Sequence, residues 1–106
     1  MPFMGELKQA TAYTINVDNG SVISLKTAIT ILKVNRRDKI ASAVVSTIAA
    51  GARTTINDTP GSGIDRVIIQ VHPPSNATIN VEVVQGNSSF ATTCNGDTDL
   101  VFDAIP

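Results

Sequence analysis

Hydrophobic and polar residues alternate in short stretches along most of this chain. Near the start, Tyr13, Ile15 and Val17 occupy every second position, and the residues between them are polar. A period of two places alternate side chains on opposite faces of a β-strand. The alternation and its interruptions predict eight short strands, at about 11–17, 23–34, 40–48, 53–57, 65–71, 77–84, 88–93 and 100–105.

Polar turn residues separate these stretches at intervals of about 8–12 residues. The tetrad 35–38 (Asn-Arg-Arg-Asp) stands between two apolar stretches and predicts the tip of a β-hairpin. The segment 58–63 (Asp-Thr-Pro-Gly-Ser-Gly) predicts a loop. Pro73 and Pro74 end the stretch 65–71, because proline donates no hydrogen bond to a neighbouring strand. That stretch is almost continuously apolar, which is typical of a central strand.

Residues 39–50 fit two secondary structures. Ile40, Val44 and Ile48 lie four apart, as they would on one face of a helix, with an Asp before them and a Gly after them as caps. Read with a period of two, the same stretch alternates and is rich in β-branched residues. Because a short polar tetrad precedes it, as in a hairpin, we favour a strand.

The composition supports strands throughout. The chain holds 12 Ile, 11 Val and 12 Thr but only 4 Leu, and β-branched side chains suit a pleated sheet. We therefore predict an all-β fold, an antiparallel β-sandwich of about eight short strands, jelly-roll or immunoglobulin-like. Residues 9–106 would form a single domain. Residues 1–8 would form an N-terminal arm that lies on this domain or docks on a neighbouring copy.

Charge and length exclude several classes of protein. The net charge of −1 in 106 residues argues against a nucleic-acid binder. No apolar run approaches the ~18–20 residues of a membrane-spanning helix. The first residues lack the basic and apolar regions of a secretory signal, so we expect none there. The single thiol, Cys94, does not settle the compartment: an intracellular site of folding is the default, and an extracellular or particle-surface role stays open.

Residues suited to catalysis are scarce. The one histidine, His72, lies at a predicted strand end, and Cys94 is distant from it in sequence. The segment 61–63 (Gly-Ser-Gly) lacks the strand–turn–helix context of a nucleophile elbow. No phosphate-loop or paired-cysteine zinc motif occurs. We expect a protein without catalytic residues or a cofactor, and not an enzyme.

Ca²⁺ and glycans are the two ligand classes that the remaining polar residues suggest. Asp97 and Asp99 share a face of an extended segment and are the candidates for Ca²⁺, but Asp is common in turns for backbone reasons, so we expect no metal site. Small β-sandwiches are often lectins, so glycan binding is the alternative function. The loops around Asn19, Gly61 and Asn95 would carry it. The absence of Trp and the position of Tyr13 on an apolar strand face weigh against it.

The charges are divided along the chain. Residues 26–66 carry a net +4, residues 67–106 carry −4, and the latter contain no Lys or Arg. The two groups can pair within the fold or lie solvated at the surface. If they lie apart in space, the basic group of one copy can instead meet the acidic group of another. Such head-to-tail contacts build rings or filaments.

We therefore predict a non-catalytic structural subunit that self-associates into a homo-oligomer, shell or filament. Complementary charges and strand edges would make the contacts. Cys94 is included as a covalent link between subunits. The predicted interface residues are Arg36, Arg37, Lys39, Asp97, Asp99, Asp103 and Cys94.

Overall fold

The computed structural model describes residues 3–18, 27–35, 37, 39–48, 53–73 and 78–106, with residues 3, 27 and 41–48 described by their backbone alone. This part of the chain contains nine β-strands and no helix. The strands are β1 (Phe3–Lys8), β2 (Tyr13–Asp18), β3 (Thr27–Asn35), β4 (Ile40–Ile48), β5 (Arg53–Asp58), β6 (Ile64–His72), β7 (Ile79–Gln85), β8 (Ser88–Cys94) and β9 (Thr98–Ile105).

The strands form two sheets, which confirms the all-β prediction. Sheet A has the order β1-β9-β6-β3-β4, and sheet B has the order β5-β2-β7-β8. The almost continuously apolar β6 is the middle strand of sheet A, as its sequence predicts. Of the ambiguous residues 39–50, residues 40–48 form the strand β4, so the helix alternative is wrong for them; residues 49–50 lie outside the described residues.

The prediction that all strands are antiparallel is wrong for one pair. β1 runs parallel to β9, with Leu7 opposite Ala104, so sheet A is mixed. The physical reason is the path of the chain. β1 ends beside the end of β9, where the Gln9 N–H donates to the Ile105 carbonyl at 2.7 Å, and the chain then crosses to β2 in sheet B. Both strands therefore run toward the same end of the sheet.

β1 is the strand that the sequence pattern missed, since it lies within the predicted arm 1–8. Gly5 breaks its alternation and lies against the ring of Phe90. A Cβ at Gly5 would overlap that ring, and the φ of 151° is one that other residues rarely adopt. The glycine that hides the strand in the sequence is therefore needed to place it against β8.

The core lies between the two sheets, as in a β-sandwich. Both sheets contribute alternate residues, and Tyr13 is 1% exposed, as its position in the pattern predicts. The largest fully buried side chains are Tyr13, Phe102, Leu7, Ile15, Ile29, Ile69, Ile79, Leu100, Val17, Val67 and Val71. Phe90 and Phe102 meet edge to face, with ring centroids 5.4 Å apart, and join β8 to β9.

Two parts of the predicted strand pattern fall outside the described residues. The early part of the predicted strand 23–34 involves residues 23–26, and the predicted strands 40–48 and 53–57 are joined by residues 49–52; both segments lie outside the described residues. Within β3 the register with β4 shifts between Lys33 and Val34.

Candidate functional site

The two ends of sheet A are defined by the pairing of its central strands. Asn35 of β3 pairs with Ile64 of β6 at one end, and Ala28 pairs with His72 at the other. We call the first the tip end, because the β3–β4 hairpin turns there, and the second the far end. The eight steps from Ile64 to His72 separate the two ends by about 26 Å, at roughly 3.3 Å per residue.

A local hydrogen-bond network holds the hairpin tip. The Asn35 N–H donates to the Lys39 carbonyl at 2.9 Å. The Asn35 side-chain oxygen accepts the N–H groups of Arg37 at 2.9 Å and of Lys39 at 3.2 Å. The predicted hairpin is thus confirmed, and one asparagine holds the backbone of two exposed basic residues at its tip. Arg36, predicted with them, lies outside the described residues, as does Asp38.

Lys33, a basic residue nearby, is engaged within the chain. Its ammonium group lies 2.9 Å from Asp58 of β5 and donates to the Thr59 carbonyl at 2.7 Å. The Tyr13 hydroxyl donates to the other oxygen of the same carboxylate at 2.6 Å. Burial, followed by the hydrogen bond to Asp58 and its negative charge, raises the pKa of Tyr13 far above its ordinary value. This cluster links the two sheets.

The three acidic residues predicted at the interface do not lie together. Asp103 is near the tip end, opposite Arg66 in the β6–β9 register. Asp99 lies opposite Gln70, toward the far end, and Asp97 precedes β9 at that end. Asp103 is therefore placed for a contact with Arg66 in its own chain, whereas Asp97 and Asp99 lie about one strand length from the basic tip.

The turn at the far end is held by short-range contacts. Thr78 donates to the Asn95 side chain at 2.9 Å, and the Thr98 hydroxyl donates to the Gly96 carbonyl at 2.9 Å. His72 Nδ1 lies 3.4 Å from Asp97 Oδ1 and forms an ion pair when the imidazole is protonated. The Asp97 side chain remains 77% exposed, so its carboxylate is accessible to a second copy.

Cys94 is in a different environment from the other predicted interface residues. Its side chain belongs to the core and is 1% exposed. Burial raises the pKa of the thiol, and a hydrogen bond with Thr98 opposes that shift. A disulfide to another subunit therefore requires β8 or the following turn to open first.

The described residues offer no metal-binding cluster. No three His, Cys, Asp or Glu side chains in the described ranges come together as ligands. Asp97 is paired with His72 and Asp99 faces Gln70, so the two Ca²⁺ candidates have different neighbours.

The outer face of sheet B carries a row of hydrogen-bonded polar side chains that crosses all four strands. Thr55 of β5 donates to the Asn16 side-chain oxygen at 2.9 Å. Asn16 of β2 donates to Glu82 Oε1 at 3.1 Å, and Ser89 of β8 donates to Glu82 Oε2 at 3.0 Å. On one side of the row, Thr93 donates to Asn80 at 3.1 Å. The Glu82 carboxylate is the acceptor at the centre of this row.

A shallow hollow of about 570 Å³ lies over this row. We call it the sheet B hollow, and its polar lining includes Asn16, Asp18, Arg53, Thr55, Asn80, Glu82 and Thr93. At its far-end margin the Arg53 guanidinium lies 3.0 Å from Asp18. None of the predicted site residues that the structure describes lies on this face, although the sequence carries a signal for it: Asn16, Asn80 and Glu82 occupy the polar positions of their alternating strands.

The loops predicted to bind glycans do not form one site. Gly61 lies at the tip end, where its N–H donates to the Gln9 carbonyl at 2.8 Å. Asn95 lies at the far end, after β8. Asn19 lies outside the described residues. The segment 61–63 leads into β6 through a turn, which agrees with the loop predicted there.

In comparisons with protein-family models, curated proteins and solved structures, no match to this chain was found. Since the described part of the chain contains no helix, it contains none that could cross a membrane.

Proposed function

We propose that this protein is a non-catalytic structural subunit that self-associates head to tail through opposite charges at its two ends. The observation that carries the proposal is the placement of Arg37 and Lys39 at the tip end and of Asp97 and Asp99 at the far end. The basic pair and Asp97 are exposed. The proposal includes Arg36 in the basic group by its position in the sequence.

The geometry favours a contact between copies over one within a chain. About 26 Å separates the two groups along the strands, whereas an ion pair needs its atoms within 4 Å. Among the described residues neither Arg37 nor Lys39 forms an ion pair. A tip that meets the far end of the next copy makes a heterologous contact, which leads to a ring or a filament.

The test is particle mass, measured by light scattering at low salt and at about 0.5 M NaCl, where charges are screened beyond ~4 Å. We expect large particles at low salt that dissociate as salt rises. A mass of 11.1 kDa at every protein concentration in low salt would contradict the proposal.

A charge-swap pair makes the test specific. One variant carries Arg37→Glu and Lys39→Glu, and the other carries Asp97→Lys and Asp99→Lys. Each variant alone has two like-charged ends and should not polymerise. An equimolar mixture should polymerise again, since each swapped end then meets an opposite charge. Asp103→Asn is the control and should leave the assembly intact, because Asp103 lies opposite Arg66 of its own chain and the amide places no like charge against it.

A second candidate function is glycan binding, and the sheet B hollow is the observation that favours it. Its amide, hydroxyl and carboxylate groups are those that recognise sugar hydroxyls. With this candidate we also propose the finer fold type, a jelly-roll or immunoglobulin-like β-sandwich. Lectin-like modules occur with both of these folds. Screening on a glycan array should give hits that Glu82→Ala and Asn16→Ala abolish. Asp65→Asn on β6, outside the hollow, should leave them unchanged. An array without hits would contradict this candidate.

A further inference from the structure

The edge strand β4 differs from the other three strand edges of the two sheets. It is the last strand of sheet A, pairs with β3 on one side and has no strand partner among the described residues on the other. Its nine residues contain no charge and no proline, the two side-chain features that usually protect an edge. By contrast, β1 carries Glu6 and Lys8, and β5 carries Arg53 and Asp58. β8 is uncharged but mostly Ser and Thr.

The sequence of β4 is partly symmetric about Val44. Two of the four pairs at equal distance from Val44 are identical, Ser42 with Ser46 and Ile40 with Ile48, and the other two are uncharged, Ala43 with Val45 and Ala41 with Thr47. In an antiparallel pair related by a two-fold axis at Val44, these are the residues that stand opposite each other. A strand built in this way is complementary to itself.

The backbone of β4 suits such a pair. The register with β3 is regular from Ser42 to Ile48, and its one irregularity, at the Lys33–Val34 step, falls before Ser42. The five central residues, 42–46, are therefore regular strand on both sides of the axis. Ile40, at the start of β4, is the exposed large hydrophobic residue among those described, at 60%. Pairing about Val44 brings it toward Ile48 of a second copy.

We propose that β4 is a dimerisation edge, at which the β4 strands of two copies pair antiparallel about Val44 and join their A sheets into one ten-stranded sheet. The inference rests on the proposed self-association and names a second, isologous contact for it. The two contacts use different surfaces and respond differently to salt, since strand pairing depends on backbone hydrogen bonds and apolar burial.

The first test is mass by sedimentation equilibrium at about 0.5 M NaCl, where the end-to-end contact is screened. We expect a particle of twice the 11.1 kDa chain mass. Val44→Lys should reduce it to one chain, because the two lysines would face each other at the axis. Since Val44 stands opposite the core residue Ile31 in the β3–β4 register, far-ultraviolet circular dichroism checks that this variant stays folded. Thr30→Lys, on the neighbouring strand β3, should leave the dimer intact. A single-chain mass for the unaltered protein at all concentrations would overturn the proposal.

Disulfide trapping tests the register without relying on a disruptive substitution. In a Cys94→Ala background, Val44→Cys places two thiols opposite each other, with Cα atoms about 4.5–5.5 Å apart and within reach of a disulfide. Ser42→Cys is the matched control, since the two thiols would be offset by four residues, roughly 13 Å. Oxidation should cross-link the first variant and not the second. Equal cross-linking of both, or of neither, would overturn the register.

Failure of this proposal is distinguishable from failure of the proposed function. If the charge-swap mixture does not polymerise while the Val44-dependent dimer persists in high salt, the end-to-end contact is wrong and the edge contact stands. If polymers form and dissolve with salt directly to single chains, the edge contact is wrong and the end-to-end contact stands.

Discussion

The two edges of sheet A, β1 and β4, show two ways of ending a sheet. β1 is tied to the rest of the fold by Leu7, which is fully buried, and by Gly5 against Phe90. β4 begins with Ile40, which is 60% exposed. Each edge strand has one register shift, between Phe3 and Gly5 in β1 and at the Lys33–Val34 step of the β3–β4 pairing, but β1 carries charges and β4 does not. One edge is closed within the chain, and the other presents a template for a further strand.

The largest difference should appear in core truncation at the two edges. Leu7→Ala removes a buried side chain and should lower the free energy of unfolding by about 3 kcal/mol. Ile40→Ala is the matched substitution at the open edge. It should change the free energy of unfolding of the single chain by less than about 0.5 kcal/mol. Urea unfolding at low protein concentration measures both. Equal losses would show that β4 is as firmly packed as β1.

A smaller effect is expected where β1 approaches β8. Gly5→Ala forces a Cβ toward the Phe90 ring at a φ of 151°. We expect the free energy of unfolding to fall by about 2–3 kcal/mol, because of backbone strain and the overlap with the ring. Gly96→Ala is the control, because a Cβ there meets no atom within 4 Å, and it should be almost neutral. A stable Gly5→Ala protein would mean that β1 is not held against Phe90 in solution.

Gln85 supplies the next test of the closed edge. Its side chain accepts the Lys8 N–H at 2.7 Å and donates to the carbonyls of Lys8 and Thr11 at 3.0 and 2.8 Å. Gln85→Ala removes the partner of all three backbone groups and should cost about 2 kcal/mol. Hydrogen exchange should speed up at the Lys8 amide in particular. Gln70→Ala, on β6, should change stability by less than about 0.5 kcal/mol.

The smallest effect on the free energy of unfolding, and the one that depends on pH, is expected at the cluster of Tyr13, Asp58 and Lys33. Lys33 of this cluster lies on β3, the strand that pairs with β4. The pKa of Tyr13 is raised, so the folded protein keeps the phenolic proton after the unfolded chain has lost it above pH ~10. The free energy of unfolding should therefore fall above pH ~10, by up to about 1.4 kcal/mol per pH unit. Tyr13→Phe should remove this part of the slope. An unchanged slope would contradict the buried hydrogen bond to Asp58.

Local patterns predicted most of the strands but not the way they are joined. The alternation through Tyr13 and Val17 and the polar tetrad before β4 depend on neighbouring residues, so they can be read directly from the chain. The pairing of Leu7 with Ala104 joins residues almost a chain length apart, and no local period encodes it.

The candidate site shows the same limit. The basic tip could be predicted because its residues are contiguous, held by Asn35 within one turn. The acidic group could not, because Asp99 and Asp103 are four residues apart on one strand and lie toward its opposite ends. The polar row through Asn16 and Glu82 needs the order of β2 and β7 in sheet B, which sequence alternation leaves open.

The parallel pairing of β1 with β9 also has a consequence for how fast the protein folds. β9 lies between β1 and β6 in sheet A. Because β9 is the last of the described strands along the chain, neither β1 nor β6 can pair with it until that strand is in place. Closing such a large loop early is entropically costly, and folds dominated by distant contacts fold on a time scale of roughly milliseconds to seconds. Until that step, the apolar β6 can pair with β3 on one side, but its other side is an open edge. The slowest stage of folding is then also the stage most exposed to aggregation.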